Sequence, residues 1–133
     1  MKIVIADPLP ASAAELLLDQ GWEVDTHSGR PPAELADALT DAVALIVRST
    51  TRVDAALIGV APNLKVVGRA GTGVDNVDLE AASAKGILVV NAPGANSVSV
   101  AEHAFALLLA SARSVTEAAG GAISAHGHTW RYQ

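Results

Sequence analysis

Short apolar runs alternate with stretches of helical period along most of this chain. Lys2 to Ala6, Trp22 to Thr26, Ala42 to Val47, Leu64 to Arg69 and Ile87 to Val90 have strand length and are rich in isoleucine and valine. Between them, Ala11 to Asp19, Pro32 to Leu39, Val53 to Ile58 and Asp78 to Ala84 space their apolar residues for one face of a helix. The punctuation agrees with this division. Gly21 closes the first helix, Pro31-Pro32 opens the second because proline suits a first turn, Asp78 caps the fourth, and Gly86 stops it.

Strands that are apolar along their length, separated by helices, belong to a parallel sheet covered on both faces. The pattern predicts an α/β fold, a doubly wound, flavodoxin-like parallel sheet of five strands. After Pro93-Gly94 the texture changes to one long helix with no strand expected behind it. Ser99-Val-Ala-Glu102 reads as a capping box, with the serine accepting from the Glu102 amide, and the helix is expected to run from Val100 to about Val115. Val100, Ala101, Ala104, Phe105, Leu107, Leu108 and Leu109 cover so much of its circumference that burial on more than one side is expected. The tail after Thr116 has weak helical character. Residues 1–96 are read as one domain, and 97–133 as a linker helix with the start of another.

Apolar residues make up 50% of the chain but aromatic ones only 3%, so the core must be built from Ala, Val and Leu in close helix-on-sheet layers. With no cysteine, disulfides, thiolate metal sites and cysteine nucleophiles are excluded. The first apolar run is ended too early by Asp7, Pro8 and Pro10 to be a secretion signal, and Ala104 to Ala110 is too short to span a bilayer. A soluble, cytoplasmic protein is the expectation. A formal charge of -5 argues against nucleic-acid or anionic-membrane partners. Its distribution is more informative: Arg48, Arg52, Lys65 and Arg69 face only Asp54 between residues 48 and 74, a basic island in an acidic chain.

Ligands of open α/β sheets bind beyond the carboxyl ends of the strands. Asp7-Pro8, Arg48 to Thr51, Ala70 to Asp75 and Asn91 to Asn96 fall there, so the basic island is expected at that edge, suited to a small anion. Gly71-Thr72-Gly73 is not a dinucleotide fingerprint, because the third glycine would fall at Asn76 and the distal acid is missing. Two readings of this loop stay open: a nest of backbone amides for a carboxylate or phosphate, or a tight turn needing glycine at positive φ.

Val47-Arg48-Ser49, the run Val67-Gly68-Arg69-Ala70-Gly71-Thr72-Gly73-Val74-Asp75-Asn76-Val77-Asp78, then Lys85-Gly86-Ile87, Asn91-Ala92-Pro93, Asn96-Ser97 and Ala101-Glu102-His103-Ala104 together resemble the N-terminal part of the D-2-hydroxyacid dehydrogenases. The resemblance covers essentially the whole chain in order. It implies that the first domain binds substrate, that the chain crosses into a Rossmann domain through a helix resembling residues 97–115, and that a later segment returns to complete the first domain. By position, Arg48, Ser49 and Asn96 would contact substrate. The amides of Thr72 and Gly73 would hold its carboxylate, and Thr72 would also border the nicotinamide of NAD. An arginine fork with an amide nest suits a phosphorylated 2-hydroxy acid.

The resemblance also places the Rossmann fingerprint, a second substrate arginine, the catalytic histidine and its carboxylate partner beyond Gln133. No catalytic residue and no turnover are therefore expected of this chain. His27, His103, His126 and His128 do not substitute, and His126-Gly-His128 lacks a third ligand for a metal. The helix over residues 99–115, with Trp130, suits a homo-oligomer contact. The alternatives are another 2-hydroxy acid, such as hydroxypyruvate or D-lactate, or a non-catalytic flavodoxin-like module binding a small anion. A receiver module would need an aspartate where this chain has Arg48.

Overall fold

The computed structural model describes residues 1–113, 122–125 and 128–131, and the chain divides into two compact units, Met1–Ala95 and Asn96–Gln133. In the first unit the order is β1 (Lys2–Ile5), α1 (Ala11–Leu18), β2 (Glu23–Asp25), α2 (Pro32–Ala38), β3 (Ala44–Val47), α3 (Ala55–Gly59), β4 (Val66–Arg69), α4 (Leu79–Ala84) and β5 (Leu88–Asn91). The five strands form one all-parallel sheet in the order β2-β1-β3-β4-β5. This is the flavodoxin-like order expected from the alternation of elements.

The direction of each crossover decides which face its helix covers. Right-handed connections from β2 to β3, β3 to β4 and β4 to β5 put α2, α3 and α4 on one face, while the reversed step from β1 to β2 puts α1 on the other. Residues that alternate toward the three-helix face line up across the register as Val4, Leu45 and Val67 and are fully buried. They pack with Leu35 and Leu39 of the α2 segment, Leu57 and Ile58 of α3, and Ala82 of α4. The opposite face buries Ile3 and Ile5 on β1, but Leu88 and Val90 on β5 are exposed.

Asp78 caps α4 by accepting from the Ala81 amide at 2.9 Å, and Asp54 caps α3 in the same way through the Leu57 amide. Pro32 occupies the first turn of α2, and Gly86, with φ of 66°, ends the α4 segment.

The second unit contains α5 (Ser97–Ala112) and an antiparallel pair, β6 (Ala122–Ala125) with β7 (His128–Arg131). Two expectations change here. The helix begins two residues before Ser99, which lies in its first turn and donates its hydroxyl back to the Asn96 carbonyl at 2.9 Å, so the capping box is not formed. Within the tail, read from the sequence as weakly helical, residues 122–125 and 128–131 pair as strands, and Ile123, Thr129 and Trp130 are strand-forming residue types. The helix α5 ends at Ala112 with Arg113 as its C-cap, short of the end expected near Val115, and His126 falls outside the described residues. Phe105, Leu108 and Leu109 of α5 are each more than 60% exposed. Among the described residues no helix is long and apolar enough to cross a membrane.

Candidate functional site

The sheet order reverses between β1 and β3, so the carboxyl ends of these strands open a crevice where loops diverge to opposite faces. Asp7 follows β1 and Arg48 follows β3, and the two are joined across that crevice. Asp7 is the only buried charged side chain among the described residues, at 2% exposure. Its Oδ2 accepts from the Arg48 amide at 2.6 Å and the Thr51 amide at 3.1 Å, and its Oδ1 accepts from the Thr51 hydroxyl at 2.7 Å. Burial pushes the Asp7 carboxyl up, but the Thr51 hydroxyl and the amides of Arg48, Thr51 and Thr50 outweigh it and hold the group below its ordinary range.

The β3 loop is tied to the β4 loop as well. The Asn76 side-chain amide donates to the carbonyls of Arg48 at 2.7 Å and Thr51 at 2.6 Å. Val53 and Val77 form a parallel bridge, with the Val53 amide on the Asn76 carbonyl and the Asp78 amide on the Val53 carbonyl, each at 2.8 Å. From β5, Asn91 donates to the Thr72 carbonyl at 2.6 Å, and the Ala92 amide donates to the Gly71 carbonyl at 3.0 Å. Three consecutive loops thus form one hydrogen-bonded ledge over the edge of the sheet.

On this ledge Arg48 and Ser49 follow β3, and Thr72 and Gly73 lie in the loop after the adjacent β4. All four are exposed. The Arg48 guanidinium makes one long contact, Nη1 to the Pro8 carbonyl at 3.5 Å, and no ion pair among the described residues. Its positive charge is therefore presented at the edge. Asn96 belongs to the second unit, where it caps α5 through its backbone and its carbonyl accepts from the Val100 amide at 2.9 Å.

Two expectations about the edge are corrected. Lys65 precedes β4 and lies at its amino end, so it takes no part in the basic island at the ledge, whereas Arg48, Arg52 and Arg69 remain there. Neither Gly71 nor Gly73 has positive φ, which removes the tight-turn reading of this loop. Gly71 is overlain by a neighbour instead: the Arg69 guanidinium lies where a Cβ would stand, and reaches on to Asp75 at 3.8 Å. A Cβ at Gly73 would stand 2.9 Å from the Asp75 carboxylate.

The loop does not fit a dinucleotide. At the start of α4, where a pyrophosphate would need free amides, the Asp78 carboxylate is already bound, and the place of the third glycine is filled by Asn76. A cavity of about 650 Å³ also lies elsewhere, between α2 and α3, with Asp7, Thr51 and Arg52 among its lining. The site residues sit on an open ledge, not in that cavity. His27 is exposed beside Asp25, His103 is exposed on α5, and only the backbone of His128 and Trp130 is described.

Asp7 and Asn76 were not among the site residues expected from the sequence. An aspartate at the end of an apolar first strand is a usable signal; for Asn76 nothing local distinguishes it from a residue that fails a glycine pattern.

The sequence profile of the D-isomer specific 2-hydroxyacid dehydrogenases, catalytic domain, matches residues 3–128. A curated relative from Mycobacterium leprae, D-3-phosphoglycerate dehydrogenase, is 49% identical over 129 residues, which is 97% of this chain and 24% of that protein. Two solved structures are similar in fold. The TT0316 protein of Thermus thermophilus has a TM-score of 0.83 and 41% identity over 90% of this chain and 39% of its own. The NAD+-bound 3-phosphoglycerate dehydrogenase of Entamoeba histolytica has a TM-score of 0.73 and 32% identity over 83% of this chain and 38% of its own. The chain spans less than a quarter of the length of the curated relatives it matches.

Proposed function

The chain belongs to the D-isomer specific 2-hydroxyacid dehydrogenase family, oxidoreductases, and on that basis we propose that it forms the substrate-binding part of an NAD-dependent D-3-phosphoglycerate dehydrogenase. The reaction assigned to the whole enzyme is oxidation of 3-phosphoglycerate to 3-phosphohydroxypyruvate, feeding L-serine biosynthesis. The observation that carries this reading is the ledge itself, where Arg48, with no ion pair among the described residues, and the Thr72-Gly73 backbone follow adjacent strands.

Arg48 and Ser49 hold the phosphate end of the substrate in this reading. The Thr72 and Gly73 amides hold its carboxylate. A charged guanidinium with amide donors at fixed spacing orients a doubly anionic substrate and replaces part of its hydration shell. Hydroxypyruvate or D-lactate would lack the phosphate that gives Arg48 its partner. NAD, when bound, is the hydride acceptor, and Thr72 borders its nicotinamide; the described residues offer no phosphate site for it.

Residues 1–96 serve as the substrate domain and 97–133 as the passage toward the nucleotide-binding domain. A later segment of the complete protein would cover the β5 face, where Leu88 and Val90 are exposed. The apolar α5 serves as an association surface between copies, with Trp130 adding to the contact. Cytoplasmic location follows from the assigned reaction.

Titration of the chain with 3-phosphoglycerate, followed by NMR, tests the reading. The Ser49, Thr72 and Gly73 amides are expected to shift first, with affinity on the order of millimolar. D-lactate should shift them less, and added NAD should give no turnover in this chain. Shifts confined to another face would overturn the assignment.

A further inference from the structure

The tetrapeptide that carries Arg48 and Ser49 is gripped from both neighbouring strands. Residues 48 and 51 bracket Ser49 and Thr50, and each has its amide on the Asp7 carboxylate and its carbonyl on the Asn76 side chain. Asp7 comes from the end of β1 and Asn76 from the loop after β4. The two residues use different chemistry for the two polarities of backbone, an acceptor-only carboxylate for the amides and an amide NH₂ for the carbonyls. The arrangement has a cost: the Asn76 Oδ1 is buried with no partner among the described residues.

We infer that Asp7 and Asn76 are positioning residues that fix the Arg48–Thr51 loop in its substrate-binding geometry, an inference that rests on reading Arg48 and Ser49 as substrate contacts. Neither residue needs to touch substrate. By holding both ends of the tetrapeptide, they remove the ordering cost that a free loop would pay on binding. Their action is distinguishable from a field effect. A buried negative charge behind an anion site opposes the anion, so removing the Asp7 charge alone would tighten binding. Loss of positioning would weaken it.

The experiment compares the parent chain with Asp7→Asn, Asn76→Ala, the isosteric Thr51→Val, and Thr51→Ser, which keeps the hydroxyl. Hydrogen exchange of the Arg48 and Thr51 amides and the dissociation constant for 3-phosphoglycerate are read by NMR on variants that retain the parent's dispersed spectrum. Exchange at these two amides is expected to accelerate and the dissociation constant to rise about tenfold in the first three variants, the scale of one lost hydrogen bond. Thr51→Ser should restore both. Binding that is unchanged or tighter in Asp7→Asn and unchanged in Thr51→Val, with the parent binding normally, overturns this inference alone. Absence of binding by the parent overturns the functional reading and this inference with it.

Discussion

Replacing Gly71 by alanine tests the geometry of the ledge at its most crowded point. The new methyl would meet the Arg69 guanidinium, falling against Nη1 and within 2.9 Å of Cζ and 3.4 Å of Cδ. What must move is the far end of a flexible side chain, since the φ of Gly71 is not positive and the backbone can accept a Cβ. The losses are small. The Arg69–Asp75 pair is long, at 3.8 Å, and its carboxylate is 83% exposed, so it sits at the bottom of the roughly 0.2–1 kcal/mol range for surface pairs. The Arg69 Nε already lacks a partner, so no bond is broken there. Against this, alanine reduces the freedom of the unfolded chain by about 0.4–1 kcal/mol. Gly71→Ala should therefore unfold within about 1 kcal/mol of the parent, a shift of at most about 4–8 °C for a unit of this size. Gly86→Ala supplies the contrast, because its φ of 66° makes the methyl cost about 1–2 kcal/mol wherever there is space. The assays are urea and thermal unfolding by circular dichroism, together with the Nε resonance of Arg69 by NMR. That resonance should move in Gly71→Ala and stay in Gly86→Ala. Destabilisation of Gly71→Ala equal to or above that of Gly86→Ala, or an unmoved Arg69 signal, would refute the reasoning.

Asp7 and Asp25 both have carboxyls held below their ordinary value of 3.8; for Asp25, burial raises it but the Arg30 side chain, the His27 amide and the Arg30 charge prevail. Their contribution to stability is fully present above the unfolded value and is lost as pH falls through the folded one, so the urea midpoint should drop below about pH 4, and drop less in Asp7→Asn. An equal acid loss in that variant would remove Asp7 from the account. If α5 pairs between copies, sedimentation at tens of micromolar should show a dimer or larger species that Leu108→Glu dissociates, since each exposed large apolar side chain forgoes on the order of 1.5–3 kcal/mol of burial. A parent chain that is monomeric at that concentration would reject the association surface.

The amino-acid sequence by itself determined the order and kind of nearly every element in the first unit. Strand-length apolar runs, a proline in a first turn, an aspartate cap and a left-handed glycine act within a few residues of themselves, so their consequences are readable locally. The same holds for the placement of Arg48 and the Gly71–Gly73 loop just after strand ends, the edge at which open parallel sheets bind ligands. The start of α5 was misplaced because two serines compete for its first turn, and the choice depends on a hydroxyl bonding back to Asn96 instead of forward to an amide. The pairing of β6 with β7 went unread because short strands declare themselves only against a partner.

Tertiary structure alone decided what Asp7 and Asn76 do. Asp7 meets its partners 41 and 44 residues along the chain, and Asn76 meets its own at separations of 28 and 25. No local pattern encodes contacts at such separations; they exist because β1, β3 and β4 lie side by side. Residue type and local order are written along the chain, whereas the polar contacts that fix the loop at the candidate site depend on which strands become neighbours.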